Sequence, residues 1–430
     1  MHVEYTGLMI VIPTRNRAQL AINAIRSVLD QPLDKSQIIV SDNSTVESEV
    51  DELNNFCKIS AKNNILYLRP PAPMPMSAHW DWVMTKSLDF SNFSHFTYLT
   101  DRMIFKNDKL ATAIEIIKRQ PNKILCYNHD EIVDLRIPIR IIQAPWTGKI
   151  FEIDSKSLLA LIAKGNLHNS LPRMLNSIVP RSCIQKIRRD FGNVFDSISP
   201  DFCFCFRSLE IFDTVLFFDE SILYQYALYR SNGKSIAIGN ETKDYKDFIQ
   251  NLGNKSMNYA SPVPEFMTVY NAICHEYCLI KEQTRSKKFR EIDTRSYLEM
   301  IATEIDAIEN LKLKREMENL LEANGWEGKR KTTPEKGCDH KKLFSARAVM
   351  KRLKGLSKSP HAKRAWVVLA NRFALRPPDE NEFQFRTTGE AIEYANRFPR
   401  RRQTTRHLGE PLSTARILEG LCSFSEETGL

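Results

Sequence analysis

The feature that most constrains this chain is an alternation of strand and helix signals through its first hundred or so residues, with a polar corner after each strand. Leu8–Ile12 is an apolar run stopped by Pro13. The turn Thr14-Arg15-Asn16-Arg17 follows, and then a helical pattern placing Leu20, Ala24, Ile25, Val28 and Leu29 on one face. A second strand, Gln37–Val40, stops at Ser41-Asp42-Asn43-Ser44, and Val46–Ile59 reads as helix. Ile65–Leu68 is strand, and Pro70, Pro71, Pro73 and Pro75 force an extended loop. Ser77 is expected to cap a helix through Leu88, His95–Leu99 is strand, Asn107 is expected to cap Asp108–Arg119, and Ile124–Tyr127 is strand again. Repeated βα units of this kind predict an α/β fold with a mostly parallel sheet between helices. Ligands of such sheets bind beyond the carboxyl ends of the strands, which puts the corners at Thr14, Asp42 and Asp101 on one edge.

Further along, Ser182–Arg189 reads as a short basic helix, Phe202–Phe212 as an aromatic-rich helix and Val215–Phe218 as a strand. Ile301, Ile305, Ile308, Leu311, Leu313 and Leu320 suit one long amphipathic helix over Tyr297–Ala323, ended by Gly325 and Gly328. Charge then changes character. Lys329–Arg376 carries fifteen Lys and Arg against Glu335 and Asp339, a local +13 in a chain whose net charge is +9. The remainder is therefore mildly acidic. The organisation predicted is three parts: 1–240, a mostly helical 241–328, and a basic C-terminal segment over 329–430. No apolar run approaches the roughly 20 residues of a spanning helix, and Met1–Gly7 lacks the basic and apolar regions of a signal peptide. The nine Cys form no paired C-x-x-C array, so reduced thiols and a cytoplasmic location are expected.

Several corners carry residue types suited to chemistry. Asp42, at a strand end, can accept from a nucleobase imide or a ribose hydroxyl; it can equally form an Asx turn. Thr14–Arg17 precedes a helix N-terminus, whose free N–H groups suit phosphate or a plain cap. Asp101 follows an apolar strand, where its charge needs a ligand, a metal or Arg102 as compensation. Asp201, between Pro200 and Phe202, has a setting that raises a carboxyl pKa toward that of a general base, or else it is a helix N-cap. Neither G-x-G-x-x-G nor G-x-x-x-x-G-K follows a strand, against a dinucleotide site or P-loop. The His spacings give no zinc site. Trp80 and Trp82 suit sugar stacking or core packing.

The series Met9-Ile10-Val11-Ile12-Pro13-Thr14-Arg15-Asn16-Arg17 and Ile38-Ile39-Val40-Ser41-Asp42-Asn43-Ser44 resembles the opening of family two glycosyltransferases with a GT-A fold. Tyr98-Leu99-Thr100-Asp101 falls where that family keeps its metal-binding DxD motif. Leu171-Pro172-Arg173-Met174-Leu175-Asn176-Ser177, Ser199-Pro200-Asp201 and Ser231-Asn232-Gly233 look like a bacterial subset acting on surface polysaccharides. The resemblance covers about residues 7–240. It implies inverting transfer from a nucleotide-sugar donor to a glycan or lipid-linked acceptor. Pro13, Thr14, Arg15, Arg17, Asp42, Asn43, Asp101 and Arg102 would line the donor nucleotide. Arg173, Asn176, Ser231 and Asn232 would lie on the acceptor side, and Asp201 would be the catalytic base. The second carboxylate of the motif is missing, because Met103 stands two places after Asp101. Either Asp101 alone holds Mg²⁺ or Mn²⁺, or Arg102 supplies the cation.

Two other readings stay open. One is a degenerate GT-A protein that binds sugar nucleotide or glycan without turnover. The other is a basic nucleic-acid-binding protein, although the basic stretch carries no recognised nucleic-acid motif and no specific nucleic acid is expected. For a transferase, the same stretch suits an anionic membrane surface, giving a peripheral position at the inner face of the cytoplasmic membrane.

Overall fold

The computed structural model describes residues 4–33, 35–61, 64–134, 139–143, 146–226, 259–308, 310–326, 385, 387–397 and 422–423. The chain opens with β1 (Leu8–Thr14), α1 (Ala18–Leu29), β2 (Ser36–Asp42), α2 (Glu47–Ile59), β3 (Ile65–Leu68), α3 (Met76–Leu88) and β4 (His95–Tyr98). It continues with β5 (Met103–Phe105), α4 (Lys109–Arg119), β6 (Leu125–Val133), β7 (Arg140–Ile142), β8 (Ile150–Asp154) and α5 (Ser155–Ile162). Next come β9 (Ser177–Pro180), α6 (Arg181–Phe191), α7 (Pro200–Ile211) and β10 (Thr214–Tyr226). The later described elements are α8 (Val269–Thr284), α9 (Thr294–Asp306), α10 (Leu311–Ala323), α11 (Thr388–Arg397) and β11 (Cys422–Ser423).

One sheet runs in the order β11-β8-β10-β6-β9-β4-β1-β2-β3, with β5 on β10 and β7 on β6. β3, β2, β1 and β4 are all parallel, as the alternation predicts. Every residue of β1 is buried, because both faces of this strand are covered. Leu8, Ile10 and Ile12 pack with α1, α2 and α4, whereas Met9 and Val11 join a larger core with α3, α5, α6, α7 and α8. The result is three layers with the sheet in the middle.

The other half of the sheet is mixed, which the repeat did not predict. β9 lies antiparallel to both β4 and β6, so it fills the edge between two parallel pairs. β10 is parallel to β6 but antiparallel to β8 and β5. β9 and β8 give the edges of β4 and β10 hydrogen-bond partners that βα units alone would not supply.

Three local expectations are corrected. The stretch 297–323 forms two helices, not one. α9 ends at Asp306, and Asn310 starts α10 by accepting the N–H groups of Lys312 and Leu313 at 3.0 and 3.2 Å. Splitting the stretch lets Ile301 and Ile305 share a core with Met317 and Leu321. Ser77 does not cap α3, since Pro75 holds the N-cap position and the Ser77 hydroxyl donates to the Ser197 carbonyl. Asn107 does not cap α4. Asp108 stands there in the left-handed region, φ 59°, with no side-chain cap.

α8 belongs to the main core through Ile273, Tyr277 and Ile280. α11 places Ala391 and Ala395 against Ile132, Ile141, Tyr224 and Tyr226. The basic stretch 329–376 lies outside the described residues. If Asn310 is the device that restarts the helix, Asn310→Ala should lower stability by about 0.5–2 kcal/mol. Urea unfolding checks this, with the midpoint falling and the slope unchanged.

Candidate functional site

The corners after β1, β2 and β4 meet at one edge of the sheet. Thr14 pairs in register with Asp42, and the Thr14 carbonyl accepts from the Asn43 N–H at 2.9 Å. The Thr14 hydroxyl donates to Oδ2 of Asp101 at 3.0 Å, and Arg17 Nη1 lies 3.6 Å from Oδ1. Asp101 is 6% exposed, so its charge is compensated from both sides. Pro13 precedes Thr14 within β1, opposite Ser41. Arg15 reaches outward instead, donating from Nη1 to the Met74 carbonyl at 3.3 Å.

Asn16 turns the chain in the left-handed region, φ 53°, which Asn tolerates better than most residues. Its side-chain oxygen accepts from the N–H groups of Thr45 and Val46 at 2.8 and 3.1 Å. The first corner is thereby sewn to the second. One amide at the N-terminus of α1 is already taken by a side chain. Glu49 Oε2 accepts the Ala18 N–H at 2.6 Å, so a carboxylate from α2 occupies it.

Asp42 is fully buried, with both oxygens engaged. Oδ1 accepts from the Ser44 N–H at 2.9 Å, the Asx-turn pattern, and Oδ2 accepts from the Tyr67 hydroxyl at 2.6 Å. Asn43 is a clamp on the proline-rich loop: its Nδ2 donates to the Met74 carbonyl at 2.8 Å and its Oδ1 accepts from the Met74 N–H at 2.9 Å. Behind this edge, Ser41 and His79 share a hydrogen bond of 2.7 Å, and burial pushes the imidazole down to about 4.

Asp201 arrives from the other side. Ser199 takes the N-cap position of α7 and Pro200 opens the helix, so Asp201 lies in the first turn and is not the cap. Burial raises its carboxyl pKa, against the pull of Arg173, of the 201 and 202 backbone amides and of Arg102. Arg102 in turn is lowered by burial and raised by the charges of Asp101 and Asp201. It is held in place by β10, donating from Nη1 to the Tyr226 carbonyl at 3.2 Å while its own carbonyl accepts the Tyr226 N–H at 2.9 Å. Arg173 lies over the Phe202 ring with Cζ 5.7 Å from the centroid, and its buried Nε has no hydrogen-bond partner.

Asn176 has a structural task. Its Oδ1 accepts the Arg173 N–H at 3.1 Å, and its Nδ2 donates to the Asn169 carbonyl at 2.6 Å, which shapes the loop that presents Arg173. Ser231 and Asn232 lie outside the described residues. Trp80 is core, packed against Tyr98 and Phe195 at 5.3 and 5.5 Å. The residues missed in the sequence are Tyr67, Glu49 and His79. Their partners are 25 to 38 positions away, and no local pattern marks such pairings.

The edge does not fit a divalent cation held by carboxylates. Asp101 already faces Thr14 and Arg17, Arg102 follows it, and among the described residues no group of three His, Cys, Asp or Glu is gathered to ligate a metal. What the edge offers is guanidinium: Arg17, Arg102 and Arg173, around two carboxylates in different environments.

Residues 9–86, from β1 through most of α3, match the family model described as Glycosyl transferase family 2. Over those residues the chain is similar to glycosyltransferase family 2. No curated protein matches the chain. Crystal structures of S. aureus TarS superpose on it at 11% identity and a TM-score of 0.40, covering 74% of this chain and 53% of TarS. The chain thus spans about half the length of that protein. TarS 1–349 in complex with UDP-GlcNAc gives the same identity and TM-score, with 88% of that shorter chain covered. A superposition this loose transfers no residue roles. Thr14, Arg17 and Asp42 lie within the matched residues, whereas Asp101, Arg102, Arg173 and Asp201 follow them.

The raised carboxyl of Asp201 has a consequence for stability. A native pKa above the unfolded value means that the folded state binds the proton more tightly. Its contribution is favourable at low pH and is lost as pH rises from the unfolded value, about 3.9, through the native one. Asp201→Asn should therefore melt at the same or a higher temperature than wild type at pH 7. That difference should shrink to nothing near pH 3.5–4, as differential scanning calorimetry across pH would record.

Proposed function

We propose that this glycosyltransferase is an inverting enzyme that moves a sugar from a nucleotide-sugar donor to an acceptor hydroxyl in polysaccharide or glycoconjugate biosynthesis. The observation that carries the reading is Asp101, held by Thr14 and Arg17 past the carboxyl ends of β1 and β4 and followed by the anchored Arg102, whose charge also acts on Asp201. A base with a raised pKa and a fixed cation are the two parts this transfer needs. Asp201 takes the proton from the acceptor hydroxyl as its oxygen attacks the anomeric carbon from the face opposite the leaving group. The bond from that carbon to the diphosphate oxygen breaks, and the electron pair leaves on the nucleoside diphosphate. Arg102, with Arg17 and Arg173, meets the charge that develops there. Guanidinium pairs with phosphate oxygens in a fork and keeps its charge at neutral pH. Thr14 and Asp42 set the walls of the nucleotide seat.

Residues 1–240 would serve as the transferase unit and 241–328 as a helical extension of it. The missing second carboxylate of the motif favours a second reading, a domain that binds sugar nucleotide without turnover. One experiment separates them. Nucleoside diphosphate release is measured from a panel of UDP-, GDP-, dTDP- and CDP-sugars, starting with UDP-GlcNAc, alongside thermal shifts by the nucleotides with and without Mn²⁺. Wild type should release nucleotide without added metal. Asp201→Asn should lose on the order of 10²–10⁴ in rate, while its nucleotide affinity stays within about twofold. Stabilisation by nucleotide with no turnover of any donor would leave the binding-only reading standing.

The Lys329–Arg376 stretch, with its net +13, would hold the enzyme beside lipid-linked acceptors at an anionic leaflet. Among the described residues no helix is long and apolar enough to cross a membrane. Each basic residue near such a surface contributes about 1 kcal/mol, fading within a Debye length of roughly 8 Å. The full chain should co-sediment with phosphatidylglycerol-containing vesicles and not with phosphatidylcholine alone, and added salt should release it. Equal pelleting with both vesicles, or with neither, would remove the membrane from this account.

A further inference from the structure

α8 lies well beyond the family-matched residues, yet two of its side chains hold the turn that delivers Asp201. Glu276, 1% exposed, accepts the N–H groups of Ile198 and Ser199 on Oε1 at 3.0 and 2.8 Å. Those are the amides immediately before Pro200 and Asp201. Its neighbour His275 accepts the Ala260 N–H on Nδ1 at 2.7 Å, which leaves the ring proton on Nε2. Nε2 can then donate to the Ser197 hydroxyl, 3.1 Å away. Ser197 itself stands in the left-handed region, φ 61°, a conformation that costs a non-glycine residue about 1 kcal/mol or more and persists only where the surroundings enforce it. The same turn is gripped from α3, where Asp81 Oδ1 accepts the N–H groups of Val194 and Phe195 at 2.6 and 3.1 Å and Ser77 donates to the Ser197 carbonyl.

We infer that Glu276 is a positioning residue for Asp201, one that aims the first turn of α7 at the acceptor. The inference rests on the reading of Asp201 as the base. Glu276 does not touch the reacting atoms. It fixes the last two amides before the helix, so the direction in which α7 leaves the turn, and with it the Asp201 carboxylate, depends on where the Glu276 oxygen sits. Tertiary support of this kind is needed because the strained Ser197 turn would otherwise relax and carry Asp201 with it. Burial also pushes the Glu276 carboxyl up to about 8, so near neutral pH it is largely protonated and a glutamine is its close mimic. Arg207 is the charge that acts on it, with Arg207 Nη2 3.8 Å from Asp196 Oδ2, and Asp196 and Glu282 line the same hollow.

The test pairs Glu276→Asp, which withdraws the accepting oxygen by one methylene, with Glu276→Gln, which keeps it. Both are assayed for nucleoside diphosphate release on the sugar-nucleotide panel, with melting temperature and the pH profile of kcat/KM recorded. A displacement of about 1 Å can cost on the order of 10² in rate. Glu276→Asp should accordingly lose about ten- to a hundredfold in kcat with donor KM unchanged, and the acid limb of its profile, set by Asp201, should move. Glu276→Gln should restore kcat to within about threefold and return the limb to its wild-type position. Should Glu276→Asp not fold, Ser197→Gly replaces it. Glycine accepts the positive φ but frees the turn, and the same split between kcat and KM is expected. Unchanged kcat in the loosened variant, a donor KM that rises as kcat falls, or a Gln variant as impaired as the Asp one would each overturn the inference. Asp201→Asn separates the two levels. Retained transfer there defeats the base reading itself, whereas a dead Asp201→Asn beside an unimpaired Glu276→Asp defeats only the positioning role.

Discussion

The buried carboxylate of Asp101 organises the polar edge of the sheet. Removing a carboxylate from water costs several kcal/mol unless it is paired and hydrogen-bonded, and here the Thr14 hydroxyl and the Arg17 guanidinium provide both. Thr14 ends β1 and Asp101 follows β4, so this one interaction pins the ends of two neighbouring parallel strands together. The arrangement propagates outward through short polar side chains. Asn16 ties the first corner to Thr45 and Val46, and Asn43 clamps the proline-rich loop at Met74. Tyr67 reaches across from β3 to close over Asp42. A site beyond strand ends would normally inherit the mobility of loops. These bonds give it the rigidity of the sheet.

On that edge, two carboxylates receive opposite treatment. Asp101 is compensated by a cation and a hydroxyl, whereas Asp201 is half-buried in the first turn of α7, with desolvation outweighing its cationic neighbours. Environments that differ in this way divide one residue type into two roles. Arg102 follows Asp101 and is anchored by Tyr226 at the end of β10, which bonds both its side chain and its carbonyl. Tyr226 also packs in the cluster that seats α11. The last described helix therefore shares a residue with the scaffold of the site, although well over a hundred positions separate it from Tyr226 in sequence.

Much of the parallel half was legible in the residues. The continuous apolar run of β1, the strong stop at Pro13 and the alternation with amphipathic helices leave few other ways to bury so much surface, and β1 to β4 follow that pattern. Asp201 was legible for a chemical reason: a carboxylate between a helix-starting Pro and a run of Phe has few routes to full solvation. Less legible were β9, which enters antiparallel to satisfy strand edges made by distant segments, and the break between α9 and α10, where one Asn cap outweighs an uninterrupted apolar period. Asp42 stayed open between a ligand group and an Asx turn, and Asn43 read as a ligand group, because a sequence names a polar side chain without naming its partner.

The amino-acid sequence by itself determined a three-layer α/β core and the placing of polar corners after its strands. It did so because hydrophobic period and turn chemistry act over a few residues and are written locally. The tertiary structure alone decided which of those corners touch, that Glu49 fills the helix terminus at Ala18, and that Glu276 reaches the turn before Asp201. Each of these is a match between one donor and one acceptor brought together by packing. Their energies depend on distances of a few tenths of an ångström, which no spacing along the chain encodes.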